Sequence, residues 1–230
     1  MTTALMDGTS CPVLLLGAGG HAKVLLSLLR AVGVDVLGVC DPALAVASIA
    51  SWRGVDVLGG DEVLEQFDVE QVGLVNGIGQ VLGSSLRRDM FLKLTARGFH
   101  FPSLVHPSAW VDPSVKLGDG VQVMAGAIIQ ADTTIGVNSI INTGVRIDHD
   151  CILGSHIHLA PSAVLCGAVS VASESFIGAG SVTIQGVSIG QCGIVGAGAT
   201  LVKDLPAGHV VTSASVRIHE SKYVSRPEKT

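Results

Sequence analysis

The densest cluster of chemistry-bearing side chains in this sequence is Asn142-Thr143-Gly-Val-Arg146-Ile-Asp148-His149-Asp150, followed by His156 and His158. Imidazole suits proton removal near neutrality because its ordinary pKa is about 6.5. A neighbouring carboxylate orients one ring nitrogen and stabilises the imidazolium that forms. His149 and Asp150 therefore read as a general base and its orienting acid; the other reading is a surface histidine beside a surface acid. His149, His156 and His158 also suggest a metal site, but spacings of seven and two put them on non-equivalent positions of the repeat described below. Cys151 and Cys166 are candidate nucleophiles, although nothing in the sequence lowers either thiol pKa.

A second cluster is Gly17-Ala-Gly-Gly-His-Ala-Lys-Val24, with Asp41 downstream. Gly17, Gly19 and Ala22 roughly match the G-x-G-x-x-G/A turn of dinucleotide sites, and Asp41 stands where a ribose contact is expected. The physical content of that motif is that backbone N–H groups at a helix N-terminus hold a diphosphate. A nucleotide-sugar diphosphate meets this requirement as well as NAD does, and a plain strand-to-helix turn needs no ligand. His21 inside the turn either reaches a phosphate or faces solvent.

Two kinds of element must position these clusters. From Val105 to Leu201 every sixth residue is aliphatic except Thr183, with no shift of register. A period of six fits neither a helix nor a single strand, but fits a solenoid whose hexads each form one flat side of a triangular coil. The run predicts between five and six coils, with the aliphatic residues stacked inside. Glycines such as Gly118, Gly136, Gly154, Gly178, Gly190 and Gly196 follow the aliphatic position, and relief of the backbone is their expected role. Counting from Ile147, Cys151 points inward and His149 and Asp150 lie outside, near a corner.

The first hundred residues lack this period. Strands are predicted at Pro12–Leu16, Val34–Cys40, Val55–Leu58 and Val72–Val75, the last ending at Asn76-Gly77-Ile78-Gly79. Helices are predicted from the glycine turn to Ala31, from an Asp61 cap to Phe67, and from Ser84 or Ser85 to Arg97. This alternation implies a parallel sheet with crossover helices. The expected division is residues 11–103 for this α/β domain, 104–206 for the β-helix and 207–230 for a C-terminal extension.

The bulk composition agrees. Hydrophobic residues make up 48% and aromatics only 3%, as suits a core of Val, Ile and Leu. A net charge of −5 without a basic stripe points away from nucleic acid. Five scattered cysteines imply reduced thiols, and neither a basic leader nor a bilayer-length apolar run is present, so a cytoplasmic protein without a membrane partner is expected.

Gly17-Ala-Gly-Gly-His-Ala, Ile141-Asn-Thr, Asp148-His-Asp150 and Val195-Gly-Ala-Gly-Ala-Thr200 together resemble the bacterial sugar acyltransferases that include sialic acid O-acetyltransferases and the N-acetyltransferases of UDP-bacillosamine and perosamine. The resemblance spans about Pro12 to Pro206. It implies an α/β Rossmann-like N-terminal domain followed by a left-handed parallel β-helix, a homotrimer, acetyl-CoA as co-substrate without a metal, and a nucleotide-linked amino sugar bound by the first domain. It also implies a place in polysaccharide biosynthesis. By this resemblance His149 is the base and Asp150 its orienting acid, and Asn142 lies near the acceptor amine. Gly17, Gly19, Gly20, His21, Asp41, Asn76, Gly77, Ile78 and Gly79 hold the nucleotide sugar. His158 lies near the thioester, Gly167 offers a backbone N–H to its carbonyl, and Gly178, Ala179, Ala197 and Lys203 complete the acetyl-CoA contacts. Two departures stand out: Asp150 where relatives often carry glutamate, and Thr212-Ser-Ala-Ser215 where they carry Gly-x-Pro-Ala.

The expected reaction is direct attack of a 4-amine on acetyl-CoA. An O-acetyltransferase would use the same base on a hydroxyl. An NAD-linked oxidoreductase would leave the solenoid idle, and a non-catalytic or metal-bearing scaffold would have no affinity for acetyl-CoA.

Overall fold

The structure, a computed structural model, describes residues 11–213. The N-terminal part is an α/β domain whose five-stranded sheet has the order β3 (Ser51–Trp52), β4 (Val55–Gly59), β2 (Val36–Cys40), β1 (Val13–Leu16), β5 (Gly73–Asn76). β1 (Val13–Leu16) is fully buried, as a central parallel strand covered on both faces must be. It pairs in parallel with β2 (Val36–Cys40) on one side and β5 (Gly73–Asn76) on the other. The chain therefore reverses direction across the sheet at β1, and the turns after β1 and β5 meet at one crevice, the usual ligand position in open α/β sheets. Helix α1 (Gly20–Ala31) buries Ala22, Leu25, Leu26 and Leu29, the helical spacing of one face, against the sheet.

The structure adds one short helix, corrects one expected cap and details another. Directly after β2, Asp41 caps a short helix outside the sequence expectations, α2 (Pro42–Val46), with Pro42 in the first turn, where its missing N–H costs nothing. Asp61 is not a cap. It begins a 3-10 segment (Asp61–Gln66) capped by Gly60, whose N–H donates to Glu62 Oε1 at 2.9 Å. The third α-helix, α3 (Leu86–Ala96), has Ser85 at its N-cap position; the Ser85 hydroxyl donates to Asp89, and Ser84 Oγ accepts from the Leu86 N–H at 3.3 Å.

From Leu104 onward, two-residue strands stack into three parallel sheets of seven, six and five members. These are the three sides of a left-handed β-helix. Side one holds Gln122–Val123, Ile140–Ile141, His158–Leu159 and Phe176–Ile177; side two holds Ile128–Ile129, Arg146–Ile147 and Val164–Leu165; side three holds Thr134–Ile135, Ile152–Leu153 and Ser170–Val171. The hexad residues from Leu117 to Leu201 are buried, Thr183 included. A further pair, Val210–Val211, extends side one beyond residue 206. Residues 214–230 of the expected extension lie outside the described residues, as do Ala214 and Ser215.

The glycines after the aliphatic positions serve a different purpose from the expected one. The left-handed torsion falls two residues later, at Gly120, Asp132, Asn138, Gly144, Asp150 and His156 among others. Gly136 and Gly178 are instead glycines for lack of space: a β-carbon would stand 2.6 Å from Gly154 C and 2.5 Å from Ala197 N, the backbone of the next coil. The α/β domain docks on side one and its adjoining edges, since Leu104 and Met124 share a core with β1 and α1, and Val137 with α3.

Candidate active site

His149 and Asp150 sit on the edge between sides two and three, directly after the strand Arg146–Ile147. Asp150 has φ +60°, a torsion that aspartate tolerates better than most residues. Its Oδ2 lies 2.7 Å from His149 Nδ1. A carboxylate only accepts, so Nδ1 carries the proton and Nε2 offers a lone pair. The hydrogen bond to Asp150 raises the His149 pKa above its ordinary value, and the charge of Asp148 adds to this. The imidazole lies over Gly167, one coil further along: a β-carbon on Gly167 would stand 2.8 Å from both Cε1 and Nε2. The Gly167 N–H donates to no protein acceptor among the described residues. A base thus packs on a residue whose amide N–H is free among the described residues.

Cys151 points into the solenoid core, and burial pushes its thiol up to about 11, which suppresses the thiolate a nucleophile needs. The three histidines considered for a metal do not converge. His149 is on the edge just described, His156 on the edge between sides three and one, and His158 on side one itself.

His158 is buried, edge-on to Phe176 with ring centroids 5.0 Å apart. Asn142 Oδ1 accepts from the Thr143 N–H, so Asn142 Nδ2 is the donor to His158 Nε2 at 3.3 Å. His158 therefore carries its proton on Nδ1, which has no partner among the described residues. Burial lowers its pKa to about 4, helped by His21 and Arg87, so the ring is neutral. An unpartnered buried donor of this kind is what a ligand acceptor would satisfy. Gly178, Ala179 and Ala197 share with Asn142 the edge between sides one and two, whereas Lys203 stands on the His149 edge.

The glycine turn forms a second region. Gly17, Ala18, Gly19, Gly20, His21 and the Gly77–Gly79 turn, with Asp41, line a cleft of about 420 Å³. Gly17 adopts φ +84°. Gly77 must be glycine because a β-carbon would meet Leu16 O at 2.5 Å. Gly19 caps α1 without a side-chain bond, and the first turn holds no acidic residue, so its open N–H groups face the cleft with the positive end of the helix. Asp41 lines the cleft, but both its oxygens already accept backbone N–H groups, Oδ2 from Ala18 at 2.8 Å and Oδ1 from Leu44 at 2.9 Å. Asn76 is buried: its Nδ2 donates to Arg87 O, and its Oδ1 accepts from the Ile78 N–H at 3.2 Å. It shapes the turn from beneath and does not line the cleft.

Sequence reasoning missed Arg87, Gln122 and Asn138, which join this floor to the solenoid. Arg87 is buried and donates to Asn76 O (2.8 Å), Ile78 O (2.7 Å), Gln122 Oε1 (3.2 Å) and Asn138 O (3.4 Å). An arginine in an otherwise amphipathic helix gives no sign of burial by itself. A larger groove, about 700 Å³, lies on side three among Ile152, Ser170 and Ser188; its one ionisable lining group, Asp204, accepts from the Ser188 N–H. It carries no acid–base chemistry.

The cleft and His149 are far apart within one chain. The α/β domain covers side one, and side one is opposite the edge that carries His149.

Residues 12–94 match the PglD N-terminal domain family. The chain is 40% identical to a histidine variant of perosamine N-acetyltransferase from Caulobacter crescentus, solved in complex with CoA and GDP-perosamine, over 91% of this chain and 97% of that one, with a TM-score of 0.80. It is 34% identical to the acetyltransferase domain of PglB from Neisseria gonorrhoeae, covering 89% and 97% of the two chains, with a TM-score of 0.82; that domain has also been solved with acetyl coenzyme A. WeeI from Acinetobacter baumannii, at 22% identity and a TM-score of 0.77, shares the fold. Among curated relatives, an acyl-carrier-protein-dependent UDP-N-acetylglucosamine O-acyltransferase from Aliivibrio salmonicida is 30% identical over 89 residues, and the match spans 34% of its length.

Proposed function

Because this chain belongs to the nucleotide-sugar acetyltransferases of the hexapeptide-repeat family, we propose that it moves acetyl from acetyl-CoA to the 4-amine of a nucleotide-linked amino sugar, with His149 as general base. The observation that carries this reading is the seat of the His149 ring, polarised by Asp150 at 2.7 Å and packed directly on Gly167. The amine nitrogen attacks the thioester carbonyl carbon while Nε2 of His149 takes its proton. The oxygen that becomes negative accepts from the Gly167 N–H, a donor already in place and free. The C–S bond then breaks, and the proton on His149 goes to the CoA sulfur. No acyl-enzyme forms, in keeping with the buried, protonated Cys151.

The glycine turn and the open end of α1 suit the diphosphate of the acceptor. The perosamine N-acetyltransferase was solved with GDP-perosamine and CoA, and the PglB domain with acetyl coenzyme A, which favours the same two substrates here. Since the cleft and His149 lie on opposite parts of one chain, the complete site draws on two copies, which supports a homotrimer around the solenoid axes. Acetylation belongs then to a nucleotide-sugar route toward a surface polysaccharide. Among the described residues no helix is long and apolar enough to cross a membrane.

The test is turnover of acetyl-CoA against UDP-, GDP- and dTDP-linked 4-amino sugars, GDP-perosamine included, by the natural chain and by His149→Ala. Removing a general base lowers kcat by about 10²–10⁴-fold. Near-full turnover by His149→Ala, or acetylation confined to free sialic acid, defeats the reading.

A further inference from the structure

Arg87 is a buried guanidinium with no carboxylate within ion-pair distance among the described residues. Such a group is costly, and it is retained here although its acceptors are all neutral: three backbone carbonyls and one amide oxygen. Burial lowers its pKa to about 9, so it remains a cation at neutral pH. Being donor-only, Arg87 fixes which end of the Gln122 amide faces it, namely Oε1. The other end agrees, because Gln122 Nε2 donates to Asn76 O at 2.9 Å. The same Oε1 lies 2.8 Å from His21 Nε2, and an oxygen that only accepts requires Nε2 to carry the proton.

We propose that Arg87, acting through Gln122, holds His21 as the Nε2–H tautomer, so that Nδ1 is presented in the cleft as a hydrogen-bond acceptor for a hydroxyl or N–H of the nucleotide sugar. Arg87 and Gln122 are then positioning residues, and His21 is a specificity-determining one. Among the described residues His21 makes one side-chain hydrogen bond, through Nε2, and it lines the cleft. The charged or titratable groups facing the ring are Arg87 and His158, and neither favours a second proton on His21. Burial and the Arg87 charge hold His21 near 4. At neutral pH it is therefore no counter-ion for a phosphate, and its free lone pair would repel one. The phosphates are left to the α1 N-terminus, while His21 reads an uncharged donor. This rests on the proposed reaction only for the identity of the ligand.

Two measurements test it. Nitrogen NMR of histidine-labelled protein at neutral pH, with the His21 signals identified by their loss in His21→Gln, should show Nε2 protonated and Nδ1 bare. This needs no substrate, so its failure is distinct from failure of the proposed reaction; a proton on Nδ1 overturns the inference. The second compares two variants with GDP-perosamine as the probe. His21→Asn keeps an acceptor near the Nδ1 position, whereas His21→Gln keeps the Gln122 contact and loses that acceptor. The KM for the sugar should rise about tenfold in His21→Gln and much less in His21→Asn, with the acetyl-CoA KM unchanged in both. Equal effects of the two overturn it. Gln122→Glu, nearly the same shape, should let His21 take a second proton and raise the sugar KM as pH falls; a pH-independent KM in that variant also overturns the relay.

Discussion

The imidazole of His149 covers Gly167 so closely that a single added carbon at Gly167 would stand 2.8 Å from Nε2, inside any real contact. Gly167 has no left-handed torsion to preserve, so alanine is tolerated by the backbone and opposed only by the ring. Because His149 is exposed, the ring can swing away. Gly167→Ala should therefore leave Tm almost unchanged and lower kcat by about 10²-fold through misplacement of the base. A fall in Tm matching the fall in kcat would show that the residue matters for folding instead.

The His149–Asp150 pair sets a pH limb. A base works when unprotonated, and the Asp150 hydrogen bond together with the Asp148 charge raises the His149 pKa above the ordinary 6.5. Activity should then be lost as pH falls through a value above 6.5 and reach its plateau on the alkaline side. In Asp150→Asn the limb should move to lower pH, with a reduced plateau because the imidazolium formed in the reaction loses its partner. In Asp148→Asn it should move less. The pH dependence of kcat/KM reads both, and an unmoved limb in Asp150→Asn would assign the titration to another group.

Thr183 occupies a core position that every other turn of the repeat fills with an aliphatic residue, and its buried hydroxyl has no partner among the described residues. Thr183→Val keeps the shape and removes the unsatisfied group. It should stabilise the fold by about 1 kcal/mol, or roughly 2–4 °C in Tm for a chain of this size, without altering turnover. Thermal unfolding is the measurement.

Asp41 ties the turn after β1 to the start of α2 through Ala18 and Leu44. Asp41→Ala should cost about 1 kcal/mol as a lost cap and loosen the glycine turn, raising the KM for the nucleotide sugar while leaving that for acetyl-CoA in place. Steady-state kinetics with each substrate varied in turn separates the two.

A site shared between copies predicts complementation. Gly19→Glu places a carboxylate at the open end of α1, where an added β-carbon meets nothing within 4 Å, and should repel a diphosphate without unfolding the turn. Mixed assemblies of Gly19→Glu and His149→Ala chains should regain part of the activity that each lacks alone. No recovery from verified mixed assemblies would place the whole site within one chain.

The sequence by itself determined the solenoid, its phase and the outward His149–Asp150 pair, because a period of six is local information: each core residue is defined by its nearest neighbours in the repeat. It also located the glycine turn, since Gly17 answers to a local torsion. Only the tertiary structure decided what Asp41 and Asn76 bond to, that Gly136 and Gly178 yield to the next coil, and that Arg87 is buried. It alone decided the tautomers of His21 and His158, and the separation of the cleft from His149. The reason is physical. A hydrogen bond between His21 and Gln122 spans 101 residues of sequence, and its direction is set by which donors and acceptors meet when two domains dock, a choice that no local pattern of residues records.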